Sequence, residues 1–263
     1  PEGLEVINKN TQSLIPQDTS NLIYRAMAEL FDYVGYEQKG YRITQDSQIP
    51  MTRGLGSSSA CIIGGMLAAN IISGRQLSYQ EIIHLAAKME GHPDNVGPAL
   101  FGGFCVSLMD DDKTIIKSTK LKSHIKFAVI IPDFFVATKK SRGVLPSKID
   151  FKDAVFNVGH ASMFQAAMLT CDMKALEIGV KDKLHQQYRK SYVDGMEDIF
   201  EKTYHLGSHA TYLSGSGPTI LSILDGNYDE FKAGMEEYFK TNGLEWKCMI
   251  LPIDNVGAVV SEI

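Results

Sequence analysis

The residues with the clearest chemical potential fall in one run, PMTRGLGSSSA, from Pro50 to Ala60. Gly54 and Gly56 let the backbone turn tightly and approach a ligand with no Cβ in the way. Ser57, Ser58 and Ser59 then open a stretch, Ala60 to Ile72, that is apolar on nearly every side and reads as a helix buried all round. The first turn of a helix carries N–H groups with no intrahelical acceptor and about half a positive charge. A glycine turn feeding such a tip, with serine hydroxyls that donate or ligate a hard cation, is an anion cradle suited to phosphate. The lysine of the G-x-x-x-x-G-K-[ST] loop is absent, and so is the dinucleotide fingerprint. The same residues also fit a plainer structure, a serine-capped buried helix after a glycine turn.

Other groups could complete such a site. Glu90 closes the next helical pattern, where the helix dipole disfavours a carboxylate by roughly 0.3–1 kcal/mol. A cation nearby would offset that: Mg²⁺ typically takes one or two carboxylates plus phosphate oxygens, and Lys88 is the alternative. HPDN, from His92 to Asn95, packs four turn-capable residues, three of them polar, into one loop, in which Asn95 could equally cap the segment after it. LSGSGPT, from Leu213 to Thr219, offers a second close-approach glycine turn. The acidic run Asp110 to Asp112 reads as a solvated hairpin turn rather than a metal site.

The elements that must position these groups emerge from the pattern. LEVINKN and YRITQDSQIP read as strands, the second leading into the glycine–serine run. Between them lies a helix with Ser20 as its expected N-cap and Leu22, Ile23, Ala26, Leu30 and Phe31 near one face. LSYQEIIHLAAKME is a second helix whose Ser78 and Glu81 form a capping box. From about His124 the pattern restarts: a buried strand (IKFAVIIPD), a basic loop, helices, two strand pieces around LSGSGPT, an amphipathic helix stopped at Gly243, and a closing strand (EWKCMILPI). That order fits an α+β sandwich.

Composition narrows the class. The 263 residues are 44% hydrophobic and 22% charged, enough for one large domain or two small ones, and the net charge of −5 speaks against nucleic acid as a partner. The four cysteines form no CxxC pair; Cys61, Cys105 and Cys248 read as buried thiols, which suits a reducing, cytoplasmic setting. No signal peptide is visible, and no run reaches the ~20 apolar residues of a membrane span, so no membrane partner is expected.

Three motifs in order now make a resemblance specific. PMTRGLGSSSA is similar to the P-x-x-x-G-L-G-S-S-A phosphate loop of the GHMP kinases, EGHPDNVGPALFGGF (Glu90 to Phe104) resembles that family's homoserine kinase branch most, and LSGSGPT matches its C-terminal glycine motif. The resemblance covers nearly the whole chain. It implies an α+β, two-domain architecture: an ATP-binding N-terminal domain over 1–122, like domain 2 of ribosomal protein S5, and a ferredoxin-like C-terminal domain over 123–263. It implies ATP-dependent phosphorylation of the L-homoserine hydroxyl to O-phospho-L-homoserine on the way to threonine, and a homodimer.

Carried over residue by residue, the resemblance assigns Pro50, Arg53, Gly54, Leu55, Gly56, Ser57, Ser58 and Ser59 to ATP, and Asn21 to the nucleotide base. Ser58 and Glu90 become the Mg²⁺ ligands. His92, Asp94, Asn95, Arg142, Arg189 and Gly215 fall on substrate-binding positions, with the two arginines matched to the acceptor carboxylate. Ser58, Glu90 and Asn95 are the expected catalytic set. The sequence departs from the family in two ways. Mevalonate-type relatives place an aspartate base where this chain has Asn95, so catalysis is expected from alignment and charge stabilisation. The family's first motif, with an Asn and an Asp that contact the amino acid, lies ahead of the point matching Pro1, and those groups are expected upstream. Two alternatives stay open: another small-molecule kinase of the family, of mevalonate or shikimate type, and a non-catalytic nucleotide-binding protein on the same scaffold.

Overall fold

In a computed structural model, residues 3–9, 15–37, 40–74, 77–136, 141 and 143–261 are described. The chain divides into two units. One takes Pro1–Pro50, Gly56–Lys120 and Asp254–Ile263; the other takes Met51–Leu55 and Leu121–Ile253. The phosphate-loop motif is thus shared along the chain, Gly54 counting with the second unit and Gly56 with the first.

The first unit is built on helices. Strand β1 (Leu4–Asn8) runs parallel to β2 (Tyr41–Gln45), and α1 (Leu22–Val34) connects them. Helix α2 (Ser57–Ile72) packs on α1 and on α3 (Tyr79–Glu90). Short α4 (Val96–Phe101) leads into the antiparallel hairpin β3 (Phe104–Asp110) and β4 (Lys113–Thr119). The core is aliphatic and dense: Leu30, Phe31, Ile62, Ile63, Met66, Ile82 and Ile83 are all buried, each worth about 1.5–3 kcal/mol over an exposed side chain. Gly65 lets α2 approach α1, since a Cβ there would lie 2.5 Å from the Ile23 carbonyl oxygen.

One helix start differs from the sequence expectation. Ser20 does not cap α1. Asn21 does, its Oδ1 accepting from the N–H groups of Ile23 and Tyr24 at 2.9 and 3.4 Å, while the Ser20 hydroxyl donates to Asp18. Two short polar residues stand side by side, and the one whose side chain reaches back over the first turn is the second. The capping box of Ser78 and Glu81 is present as expected. The acidic run forms the β3–β4 turn, with Asp111 at φ +48°. Cys248 is buried, but Cys61 and Cys105 are only half-buried, each lying near the start of its element.

The second unit holds a four-stranded antiparallel sheet in the order β6–β7–β5–β8: β5 (Lys126–Ile131), β6 (Ala210–Leu213), β7 (Ile220–Leu224) and β8 (Lys247–Pro252). Helices α5 (Phe151–Thr170), α6 (Met173–Gly179), α7 (Gln186–Arg189) and α8 (Met196–His205) lie between β5 and β6 in the chain, and α9 (Tyr228–Thr241) joins β7 to β8. This β-α-β-β-α-β order is the ferredoxin-like arrangement. Its core includes Ile130, Ile220, Phe231, Met235 and Trp246.

Candidate active site

Helix α2 begins without a side-chain cap. Its N-cap is Gly56, at φ +72°, which offers no hydroxyl or amide to the first turn. The serine-capped alternative therefore does not describe this helix: Ser57, Ser58 and Ser59 lie inside it. The orphan N–H groups of the first turn point out of the helix tip, together with the positive end of its dipole. Ser59 is fully buried beneath them, and its Oγ has no hydrogen-bond partner among the described residues. An uncapped first turn with a buried hydroxyl to spare has the chemistry to bind an anion.

Glu90 meets this tip. The Ser58 hydroxyl donates to Glu90 Oε1 at 2.6 Å. Helix α3 stops at Gly91, in the left-handed region at φ +88°, so the carboxylate leaves the end of one helix at the start of another. The unfavourable dipole of the α3 C-terminus is met by the favourable one of α2. Two hard oxygens side by side fit Mg²⁺, which keeps its remaining positions for phosphate and water. No group of three or more His, Cys, Asp or Glu side chains that could hold a metal occurs among the described residues.

The HPDN loop lies beside the same tip. A Cβ built on Gly56 would sit 3.8 Å from the Asn95 Cβ, an ordinary contact. Asn95 occupies the N-cap position of α4, but its side chain makes no capping bond and is exposed. His92 Nδ1 is buried with no hydrogen-bond partner among the described residues, its nearest carboxylate, the exposed Asp94, standing 3.6 Å away. Asn21 is 1% exposed and committed to the fold: its oxygen caps α1 and its nitrogen donates to the Pro16 carbonyl.

The second unit carries the other motif residues. Gly54, at φ +76°, packs flat against LSGSGPT: a Cβ there would lie 2.5 Å from the Ser214 carbonyl oxygen and 3.1 Å from that of Gly217. Ser214 Oγ donates to the Gly54 carbonyl at 2.7 Å, and the Thr219 N–H donates to the Arg53 carbonyl at 3.4 Å. The two glycine motifs, far apart in sequence, therefore build one backbone surface around Met51–Leu55. Arg53 Nη2 donates to the Asp133 carbonyl at 3.0 Å, while its Nη1 is buried without a partner among the described residues. Pro50 and Leu55, partly buried, bracket the segment.

Arg189 is 9% exposed, rare for a guanidinium. Its Nη1 donates to the Gly215 carbonyl at 2.9 Å and its Nε to the Ser141 carbonyl at 3.3 Å; Ser141 in turn donates from Oγ to the Ser216 carbonyl. Gly215 thus holds the arginine through its carbonyl. Arg142 lies outside the described residues. Sequence reasoning missed His185 and Asp182, which support Arg189; the i,i+4 spacing of His185 and Arg189 was the available signal.

With this geometry in hand, comparison with known proteins places the chain. The model described as "GHMP kinases N terminal domain" matches residues 21–103, and "GHMP kinases C terminal" matches 164–241. The chain belongs to the GHMP kinases. Among its curated relatives, a homoserine kinase of Caldicellulosiruptor saccharolyticus is 42% identical over all of this chain and 86% of its own length. A homoserine kinase of Clostridium beijerinckii is 43% identical over 92% of this chain and 82% of its own. The fold matches a crystal structure of homoserine kinase from Cytophaga hutchinsonii with a TM-score of 0.86, covering 98% of this chain and 84% of that one at 22% identity.

Proposed function

We propose that this chain transfers the γ-phosphoryl group of ATP to the side-chain hydroxyl of L-homoserine, giving O-phospho-L-homoserine for threonine synthesis. The observation that carries the reading is the open tip of α2, with Ser58 and Glu90 joined at 2.6 Å beside it. The close relatives named homoserine kinase support the choice of acceptor.

In this reading the amides of Ser57, Ser58 and Ser59 bind the ATP phosphates, and Gly56 leaves the helix tip uncovered by a capping side chain. Ser58 Oγ and Glu90 would hold Mg²⁺, which would supply neutralisation of the phosphate charge. Arg189, with Arg142, takes the amino-acid carboxylate as a planar fork suits. His92 Nδ1, buried and unpartnered among the described residues, is available to the acceptor. Asn95 orients but accepts no proton, since an amide is not a base. The hydroxyl oxygen forms the new P–O bond, the bond to the ADP oxygen breaks, and the hydroxyl proton passes to a phosphate oxygen or to water. Positioning and charge stabilisation then supply the acceleration, as phosphoryl transfer generally requires. We assign the reaction to the cytoplasm and the working form to a homodimer; among the described residues no helix is long and apolar enough to cross a membrane.

An ADP-release assay with homoserine, threonine, mevalonate and shikimate in parallel tests this. We expect turnover with homoserine far above the others. Phosphorylation of mevalonate without homoserine would overturn the acceptor, and no turnover with any alcohol would favour a non-catalytic nucleotide binder.

A further inference from the structure

Asp182 organises the turn before α7. Its Oδ2 accepts from the N–H groups of His185 and Gln186 at 2.8 and 2.7 Å, and its Oδ1 accepts from Asn157 Nδ2 of α5 at 2.7 Å. Gln186 then ties the helix to the sheet, its Oε1 accepting from the Leu213 N–H at 2.8 Å. The turn is therefore fixed from both sides, and with it the His185 backbone from which the ring projects.

That ring faces Arg189 one helical turn on, with Arg189 Nη1 3.1 Å from His185 Nδ1. A guanidinium only donates. The contact is a hydrogen bond only if Nδ1 is an acceptor, which requires the neutral imidazole with its proton on Nε2. Asp182 favours that tautomer: its Oδ1 lies 3.8 Å from Nε2, too long for a hydrogen bond but close enough for its charge to draw the N–H. Among the described residues, the charged groups around the ring are Asp182 and Arg189; the next pair outward, Lys183 and Asp153 of α5, is joined at 3.3 Å. Arg189 itself also donates, among the described residues, to the carbonyls of Ser141 and Gly215, which carry no net charge.

We propose that neutral His185 is a positioning residue, holding the Arg189 guanidinium in the orientation that receives the acceptor's carboxylate. The proposal rests on the reading of Arg189 as a carboxylate-binding residue. It extends to the choice of conditions: a protonated ring cannot accept from Arg189 and repels it, so acceptor binding weakens as pH falls through the His185 titration. Burial, opposed by Asp182 and assisted by Arg189, depresses that titration below the usual histidine range and keeps the ring neutral at physiological pH.

The test is steady-state kinetics of the full chain and its H185A, H185Q and R189A variants with homoserine and MgATP, from pH 5.5 to 8. Glutamine offers Arg189 an acceptor oxygen that does not titrate. We expect H185A to raise the KM for homoserine about tenfold at pH 7.5, with kcat and the KM for ATP within about twofold. Wild type should show a rise in homoserine KM on acidification; H185Q should recover most of the H185A loss and abolish that rise. An unchanged homoserine KM in H185A alongside a raised one in R189A would overturn the role of His185 alone. A silent R189A would overturn the carboxylate-binding reading beneath it. Should H185A fail to fold, the H185Q pH profile decides, and ¹⁵N spectra of the wild-type ring at pH 7 must show Nδ1 as the unprotonated nitrogen; a protonated Nδ1 would contradict the proposal.

Discussion

Ser58 Oγ lies 2.6 Å from Glu90 Oε1, joining the first turn of one helix to the last residue of another. The pair is surface-exposed, and its hydrogen bond adds little to stability. Its value is chemical: two hard oxygens stand where the free amides of α2 emerge.

Removing the charge from that pair should separate function from folding. E90Q is expected to lower ATP turnover by at least about 100-fold, the scale at which a lost electrostatic contact to a transition state is felt. Its melting temperature should stay within a few degrees of wild type, because exposed substitutions typically cost no more than about 0.5 kcal/mol. Turnover and thermal melts on the same preparation check both. S58A should fall in the same direction by a smaller factor.

Glycine positions give a graded series. G54A forces a Cβ to within 2.5 Å of the Ser214 carbonyl oxygen at a backbone φ of +76°, and should cost about 1–3 kcal/mol as well as activity. G65A meets the Ile23 carbonyl oxygen at 2.5 Å and should also destabilise, without touching the phosphate loop. G64A, one residue earlier in α2, meets nothing within 4 Å and should stabilise by up to about 1 kcal/mol. Urea midpoints of the three variants rank them.

Acid stability should depend on Asp182. Burial raises its pKa, but hydrogen bonds from the Gln186 and His185 N–H groups and from Asn157, with the nearby His185, outweigh that and hold it below the usual carboxylate value. A depressed folded-state pKa gives stability that is fully present above the unfolded value near 3.9 and is lost as pH falls through the folded one. D182N should therefore melt lower than wild type at pH 7, with the gap closing below about pH 4. A gap that widens in acid would contradict this.

Thiol labelling should follow burial. The Cys248 thiol is buried and pushed up to about 12, and burial also raises Cys61 and Cys105. Iodoacetamide at pH 8 should leave Cys248 unmodified in the folded chain and label it after unfolding, as mass spectrometry of peptides would show.

Much of the fold was legible because local rules agreed with the final packing. The Ser78–Glu81 box, the Gly243 stop, the acidic hairpin turn and the strands of the second unit each rest on residues within a few positions of one another. The rest depended on distant partners. Gly65 reads as a flaw in a helix until α1 is laid against it. Asn21 and Ser20 are equal caps until the chain's path chooses between them. The segment from Asp254 returns to the first unit, where its carbonyl accepts from the Gly103 N–H and the Ala258 N–H donates to the Leu100 carbonyl, with no pattern of its own to announce it. In the candidate site, the glycine–serine run and Glu90 stand out by residue type alone. The contact of Gly54 with Ser214, and the support of Arg189 by His185, needed the tertiary structure.

The most direct measurement is a ¹H–¹⁵N titration of the chain with a non-hydrolysable MgATP analogue, following the backbone amides of Ser57, Ser58 and Ser59. We expect these three to move the most, and the Mg²⁺ dependence of binding to weaken in E90Q. Saturable nucleotide binding that leaves all three amides unmoved would contradict a phosphate site at the tip of α2.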